Sequence, residues 1–97
     1  MIDKINKLHK IIVVAGGWSD EREISLLSGK NVYNCLKSNN YNVRFFNLKK
    51  NNIQKILQLK PDIIFNSLHG EYGEDGGLNS FAQKNNINIS HSGAITS

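Results

Sequence analysis

The chain has little of what builds a disulfide framework, a zinc site or a membrane segment. Its single cysteine, Cys35, cannot form an internal disulfide, and no zinc-ligand spacing surrounds it. We expect Cys35 to be a small apolar residue on the buried face of a helix. No apolar run is long enough to cross a bilayer, and residues 1–10 lack the apolar stretch of a signal peptide. The sequence therefore predicts a cytoplasmic protein without a membrane partner.

Length and charge narrow the class further. A chain of 97 residues buries roughly 60 to 65% of its unfolded surface, enough for one small domain over residues 1–97. The formal charge is +4, but the lysines are scattered among asparagines rather than gathered on one helix face. A nucleic-acid-binding domain needs clustered cations and stacking aromatics, so we expect no nucleic-acid partner.

Apolar runs alternate with helical patterns along the chain. The continuous apolar run at residues 11–15 is typical of a strand covered on both faces of a parallel sheet. Further strands are predicted at residues 42–48, 62–66 and 87–90. Helices are predicted at residues 21–38, at residues 53–60 and from near Gly76 onward. The order β-α-β-α-β-α-β indicates a parallel α/β sheet with helices on its faces.

The first predicted helix has apolar residues at helical spacing, which we expect to face the sheet. They are Ile24, Leu27, Val32, Cys35 and Leu36. Ser28 and Gly29 are small enough to let the helix sit close to the strands. Ser19 or Asp20 is predicted to cap the free N–H groups at its start.

Two polar loops follow the first and third predicted strands. Residues 16–25 read GGWSDEREIS, and residues 66–77 read NSLHGEYGEDGG. Because the carboxyl ends of parallel strands meet at one edge of a sheet, we expect one shared site there. A phosphate loop is a poor interpretation, since carboxylates repel an anion and the Gly-Lys-Ser/Thr pattern is absent. An ammonium group fits such a site better.

Together with HSG at residues 91–93, these stretches resemble the N-terminal domain of the D-alanine-D-alanine ligase family, ATP-grasp enzymes that make the peptidoglycan dipeptide. The resemblance covers nearly all of residues 11–97. It implies a Rossmann-like pre-ATP-grasp domain, a four-stranded parallel sheet of order 2-1-3-4 with helices on both faces. It also implies that the central and C-terminal domains are absent from this chain. ATP and Mg²⁺ would then belong to the complete enzyme, and this chain alone would bind no cofactor and be inactive.

The resemblance assigns roles to three residues. Glu21 matches the family glutamate that holds the ammonium of the first D-alanine, and His69 matches a histidine near its carboxylate. Ile24 matches an apolar contact near the substrate methyl group. Without the resemblance, Glu21 would be an ordinary first-turn glutamate and His69 a structural histidine. The second substrate (D-alanine, D-lactate or D-serine) stays open, as does a homodimer of the complete enzyme.

The remaining loop residues receive structural interpretations. Arg22 is expected to offset the local negative charge, and Asp75 to cap the third helix. Tyr72 and Glu74 are expected to order the second loop. Metal ligation by Glu71, Glu74 and Asp75 is an alternative that no ligand spacing supports.

Trp18 departs from the family pattern, which usually has a smaller residue after the two glycines. We expect the indole to narrow the pocket or to pack against a neighbouring domain. Trp18 would then be the most exposed large apolar residue of the isolated chain.

A stand-alone flavodoxin-like module for ligand binding or signalling is the main alternative. It would show the same alternation of strands and helices. The presence of both loop motifs in one chain would then be a coincidence.

Overall fold

The computed structural model describes residues 8–69 and 76–91. Seven elements follow one another in these residues and alternate between strand and helix. They are β1 (Lys10–Gly16), α1 (Arg22–Ser38), β2 (Asn42–Leu48), α2 (Lys55–Leu59), β3 (Ile63–Asn66), α3 (Gly77–Lys84) and β4 (Asn88–His91). The predicted alternation is confirmed, and the element ends differ from the predicted ones by only a residue or two.

The four strands form one parallel sheet in the order β2-β1-β3-β4, which confirms the predicted topology. β1 pairs with β2 over its whole length and with β3 from Ile11 to Val14. A central strand with helices on both faces buries side chains on both sides, and β1 is buried at every position after Lys10, which explains the continuous apolar run. The winding reverses between β1 and β3, so the loops that follow these two strands leave the sheet side by side.

Successive strand side chains point to opposite faces and divide the core in two. The cluster on the side of α2 and α3 includes Ile12, Val14, Ile56, Ile64 and Leu78. The cluster on the side of α1 includes Ile11, Val13, Leu36, Val43 and Phe65. Helices therefore lie on both faces of the sheet, as the fold class required.

α1 buries only part of the predicted apolar stripe: Leu36 is buried as predicted, and Val32 packs half-buried against the core. Its buried residues are Ser25, Gly29 and Leu36. Its exposed residues include Ile24, at 55% exposure, Leu27, at 67%, and Cys35. The predicted burial of these three side chains is wrong. Successive helix residues are rotated by about 100°, and these three share a face of α1 that is turned away from the face packed on the sheet.

The buried stripe consists largely of small residues because α1 lies close to the sheet. A Cβ added to Gly29 would lie 2.5 Å from the Cβ of Ala15 and 3.1 Å from Cε1 of Phe45. The Ala15 Cβ is fixed to the strand backbone, so it cannot turn aside. The predicted role of Gly29 in close packing is confirmed, and this packing holds the N-terminal end of α1 at the carboxyl edge of the sheet.

Local backbone geometry sets the ends of the shorter helices. α2 ends at Leu59, and Lys60 takes a left-handed conformation with φ 51° before Pro61, which disfavours helical geometry in the residue before it. Gly76, with φ 85°, takes the N-cap position of α3 instead of the predicted Asp75, which lies outside the described residues. None of the helices within residues 8–69 and 76–91 is long and apolar enough to cross a membrane.

Candidate functional site

The first polar loop leaves β1 through two glycines in conformations that other residues rarely adopt. Gly16 has φ 96° and Gly17 has φ 79°. A Cβ at Gly16 would also lie 2.8 Å from Nη1 of Arg22. The turn therefore requires glycine for its backbone conformation and for the close approach of a side chain.

The N–H groups of these glycines bind acceptors inside the protein. Gly16 donates to Oγ of Ser25 at 2.8 Å, and Gly17 donates to the carbonyl of Leu48 at 3.0 Å. A phosphate loop presents such groups to its ligand instead. The geometry thus supports the interpretation that this turn is not a phosphate cradle.

Arg22 fastens the first loop to the end of β2. Its Nη1 donates to the carbonyls of Gly17, at 2.7 Å, and Leu48, at 3.1 Å. Its Nη2 donates to Oδ1 of Asn47 at 2.6 Å. The fixed fork of guanidinium donors satisfies groups at the strand ends. The charge-offsetting role expected for Arg22 stays a prediction, and the structure adds this role at the strand ends.

One hydroxyl connects the two polar loops. Oγ of Ser19 accepts the N–H of Glu21 at 3.1 Å and donates to the carbonyl of His69 at 2.8 Å. The direction of both bonds follows from chemistry, since an amide N–H only donates and a carbonyl oxygen only accepts. The prediction that Ser19 or Asp20 caps α1 is wrong, because Glu21 takes the N-cap position without a side-chain cap bond, and Ser19 binds the N–H of Glu21 itself. Ser19 also ties Glu21 to His69.

The two expected substrate-binding residues lie on either side of this hydroxyl. Glu21 is exposed and takes the N-cap position of α1, where the helix dipole favours a negative charge. His69 is half-buried, and its Nε2 is buried without a hydrogen-bond partner in the described part of the chain. Buried polar atoms usually have a partner, so this ring nitrogen is a candidate to bind a ligand.

Ser25 is the residue of this edge that the sequence analysis missed. Its side chain is 0% exposed, and its Oγ accepts from Gly16 and donates to the carbonyl of Ser67 at 2.7 Å. The available signal was a stripe of small residues, since Ser25 lies four residues before Gly29 on the face that packs on the sheet. The prediction for α1 considered mainly its apolar residues and so missed this stripe.

Ile24, the third expected substrate contact, lies near the start of α1 on its exposed face. Leu27 lies on the same face three residues later, and both side chains are more than half exposed. Ile24 is therefore accessible to a ligand or to another part of a larger protein. Its contact with the substrate methyl group stays a prediction.

Much of the second loop lies outside the described residues. This applies to Glu71, Tyr72, Glu74 and Asp75, and to Ser92 and Gly93 of the HSG stretch. His91 ends β4 opposite Asn66, which places its backbone at the carboxyl edge. Within residues 8–69 and 76–91, no three His, Cys, Asp or Glu side chains are grouped so that they could hold a metal ion.

Trp18 packs against the core of this domain. It is half-buried against the cluster that contains Leu48 and Leu68, and Nζ of Lys50 lies 5.8 Å from the centre of its ring. The exposed large apolar residues in the described ranges are instead Leu8, Ile24 and Leu27. The prediction that Trp18 is the most exposed is wrong, because an indole gains much by burying its large apolar area.

Two lysines of α1 lie against aromatic rings. Nζ of Lys30 lies 4.5 Å from the ring centre of Phe45, and Nζ of Lys37 lies 5.6 Å from that of Tyr33. The two rings meet edge to face at 6.1 Å and are half-buried against the core. Rings packed in this way differ from the open stacking surface of a nucleic-acid-binding protein.

A doubly wound parallel sheet with polar loops at its switch point defines a class of α/β domains that bind ligands at the carboxyl ends of their strands. Within this class the chain belongs to the D-alanine-D-alanine ligase family. The family described as "D-ala D-ala ligase N-terminus" matches residues 10–60, just over half of the chain.

Curated relatives extend the match to nearly the whole chain. The D-alanine-D-alanine ligase of Rickettsia canadensis is 45% identical over 96 residues, which is 99% of this chain and 27% of that protein. The ligase of Zymomonas mobilis is 41% identical over 92 residues, 95% of this chain and 28% of that protein. The chain thus spans somewhat more than a quarter of the length of these relatives.

Solved structures agree with the sequence relatives. The D-alanine-D-alanine ligase from Bacillus anthracis complexed with ATP matches with a TM-score of 0.72 and 30% identity over 84% of this chain and 28% of that chain. A second structure of the ligase from this organism matches with a TM-score of 0.73 and 28% identity. Membership of the family explains why both loop motifs occur together, which argues against the flavodoxin-like alternative.

Proposed function

We propose that this chain supplies the first D-alanine side of an ATP-dependent ligase site that makes D-alanyl-D-alanine for peptidoglycan. The relatives carry the name of that enzyme, and the chain spans little more than a quarter of their length. The activity therefore belongs to a larger protein, in which the central and C-terminal domains hold ATP and Mg²⁺. A cytoplasmic location and a homodimer of the complete enzyme are part of the same proposal.

The observation that carries this proposal is the Ser19 hydroxyl between Glu21 and His69. It bonds to the backbone of both residues, at 3.1 Å and 2.8 Å, although they lie in different loops. Two residues so connected can contact one small ligand from two sides. A zwitterionic amino acid is such a ligand, because it offers an ammonium to one side and a carboxylate to the other.

Glu21 would bind the ammonium of the first D-alanine. An exposed carboxylate at the start of a helix can accept charge-assisted hydrogen bonds of about 2.7 to 2.9 Å from an NH₃⁺ group. Its place at the N-cap of α1 also fixes the backbone from which the side chain reaches. The charge and the position of Glu21 both suit the assigned role.

His69 would bind the opposite end of the same substrate. Its Nε2 is buried and unpartnered among the described residues, so a substrate carboxylate can accept a hydrogen bond from it. This bond would orient the carboxylate without any proton transfer to it. Ile24, on the accessible face of α1, would contact the methyl group.

We place the nucleotide and its metal ion outside the described residues. The N–H groups of Gly16 and Gly17 are taken by Ser25 and Leu48, and residues 8–69 and 76–91 offer no cluster of metal ligands. We therefore assign no step with ATP to these residues. The chain alone is expected to make no dipeptide, and ATP-dependent synthesis by the purified chain would contradict this.

The test uses a complete ligase in which this chain is joined to the remaining domains of the Rickettsia canadensis enzyme. Glu21→Gln keeps the shape of the side chain but removes its charge. It should lower kcat/KM for D-alanine by roughly 10-fold to 150-fold, because a hydrogen bond to a charged group contributes about 1.5 to 3 kcal/mol. His69→Gln should also lower activity.

Glu23→Gln is the matched control, since Glu23 is also exposed near the start of α1 but lies on a different face of the helix. It should leave kcat/KM nearly unchanged, and all variants should melt close to the unmodified enzyme. Full activity of Glu21→Gln and His69→Gln, or an equal loss in Glu23→Gln, would contradict the assigned roles.

A further inference from the structure

We propose that Ser25 is a positioning residue for the D-alanine site. It would set, from inside the domain, the separation of the two loops that carry Glu21 and His69. This inference rests on the proposed function and extends it to a side chain that is 0% exposed and so cannot touch the substrate.

The Ser25 hydroxyl connects β1 and β3 by hydrogen bonds at the point where the two strands separate. The ladder between these strands ends at Val14 opposite Asn66, and the N–H of Ser67 still donates to the carbonyl of Val14 at 2.9 Å. Beyond this point Oγ of Ser25 accepts from Gly16 at 2.8 Å and donates to Ser67 at 2.7 Å. One side chain therefore holds the two strand ends at a fixed distance.

Ser25 is also hydrogen-bonded to Glu21 through the backbone. Its backbone N–H donates to the carbonyl of Glu21 at 2.9 Å, in the first turn of α1. The hydroxyl of the same residue holds Ser67, two residues before His69. A buried path thus runs from Glu21 through Ser25 to the loop of His69, inside the outer path through Ser19.

Loss of this hydroxyl should displace the site in addition to destabilising the domain. Ser25→Ala leaves the buried N–H of Gly16 and the carbonyl of Ser67 without the partner they share, and the strand ends must shift to reach water or each other. A displacement of about 1 Å in a reactive site can cost on the order of 100-fold in rate. The effect on activity should therefore exceed that of an ordinary serine-to-alanine change.

In the complete ligase joined as above, Ser25→Ala should lower kcat/KM for D-alanine by about 10-fold to 100-fold. The matched control is Ser28→Ala, the same change one turn along the same helix at a half-buried serine. It should stay within about 2-fold of the unmodified enzyme. Full activity of Ser25→Ala would overturn the role of Ser25.

A double-mutant cycle with Glu21→Gln separates positioning from general destabilisation. If Ser25 acts through Glu21, Ser25→Ala should cost clearly less in the Glu21→Gln enzyme than in the unmodified one. Equal costs in both enzymes would contradict the role. Should Ser25→Ala not fold, Ser25→Cys fills nearly the same space with a weaker donor and acceptor and carries the same expectations.

A measurement on the 97-residue chain needs no activity. In NMR spectra, Ser25→Ala should shift the amide resonances of Glu21 and His69, and Ser28→Ala should leave them in place. Unshifted resonances would overturn the role of Ser25 alone. An inactive unmodified ligase, or one insensitive to Glu21→Gln, would instead contradict the proposed function.

Discussion

Neighbouring strands are connected in different ways at their amino ends (the amino edge of the sheet) and at their carboxyl ends (the carboxyl edge). At the amino edge, the N–H of Lys10 donates to Oδ2 of Asp62 at 2.8 Å, and the N–H of Asp62 donates to the carbonyl of Lys10 at 2.9 Å. Both of these residues are exposed. At the carboxyl edge, Ser25 makes two bonds of similar length with its side chain fully buried.

The hydrogen bonds at the two edges have similar lengths but contribute differently to the free energy of unfolding. Water can replace a lost partner at the amino edge, so the net value of that tie is small. At the carboxyl edge a lost partner leaves buried polar groups unsatisfied, which costs more than the bond itself contributes. The edge that carries the candidate site is therefore the one whose geometry is the more strictly held.

The largest effect on stability is expected from Ser25→Ala. Two buried groups lose a partner, so the free energy of unfolding should fall by about 2 to 4 kcal/mol. Urea denaturation of the 97-residue chain measures this, with Ser28→Ala as the control that should change it by less than about 0.5 kcal/mol. Equal losses for both variants would remove the distinction between the edges.

A smaller loss is expected from Gly29→Ala, which tests how closely α1 approaches β1. The added Cβ meets the Ala15 Cβ, and overpacking costs about 1 to 3 kcal/mol, while alanine returns up to about 1 kcal/mol of helix propensity. The net loss should be about 1 to 2 kcal/mol. Asn34→Ala, at an exposed position of α1, should be neutral or slightly stabilising. If Gly29→Ala were more stable than the unmodified chain, α1 would not approach β1 closely enough for the added methyl group to clash.

The smallest effect is expected at the amino edge. Asp62→Ala removes the acceptor of the Lys10 N–H, but water can take its place, so the free energy of unfolding should fall by less than about 1 kcal/mol. A loss as large as that of Ser25→Ala, measured by the same denaturation, would mean that burial does not distinguish the two edges.

The order of elements could be predicted from the sequence because it depends on patterns that are local, whereas the strand order 2-1-3-4 was implied by the family resemblance. The apolar run at residues 11–15 and the boundary at Pro61 each belong to one short segment. The buried stripe of α1 could be predicted only in part in this way. Its close packing selects Ser25 and Gly29 for small size, whereas the apolar Ile24 and Leu27 face outward.

The candidate site could be predicted only as a list of residues. Glu21 and His69 were recognised from their motifs, but the Ser19 hydroxyl between them depends on a contact across 50 positions of sequence. Arg22 likewise binds the carbonyl of Leu48, 26 positions away. A sequence pattern indicates which side chains are present, and only the fold shows which acceptors come within reach of them.

The central claim is that Glu21 and His69 bind one D-alanine between them. The most direct measurement is a crystal structure of the complete ligase, built from this chain and the remaining domains of a relative, with D-alanine bound. We predict that the ammonium lies about 2.7 to 2.9 Å from the Glu21 carboxylate and that Nε2 of His69 is hydrogen-bonded to the carboxylate of the same molecule. D-alanine bound without either contact would contradict the claim.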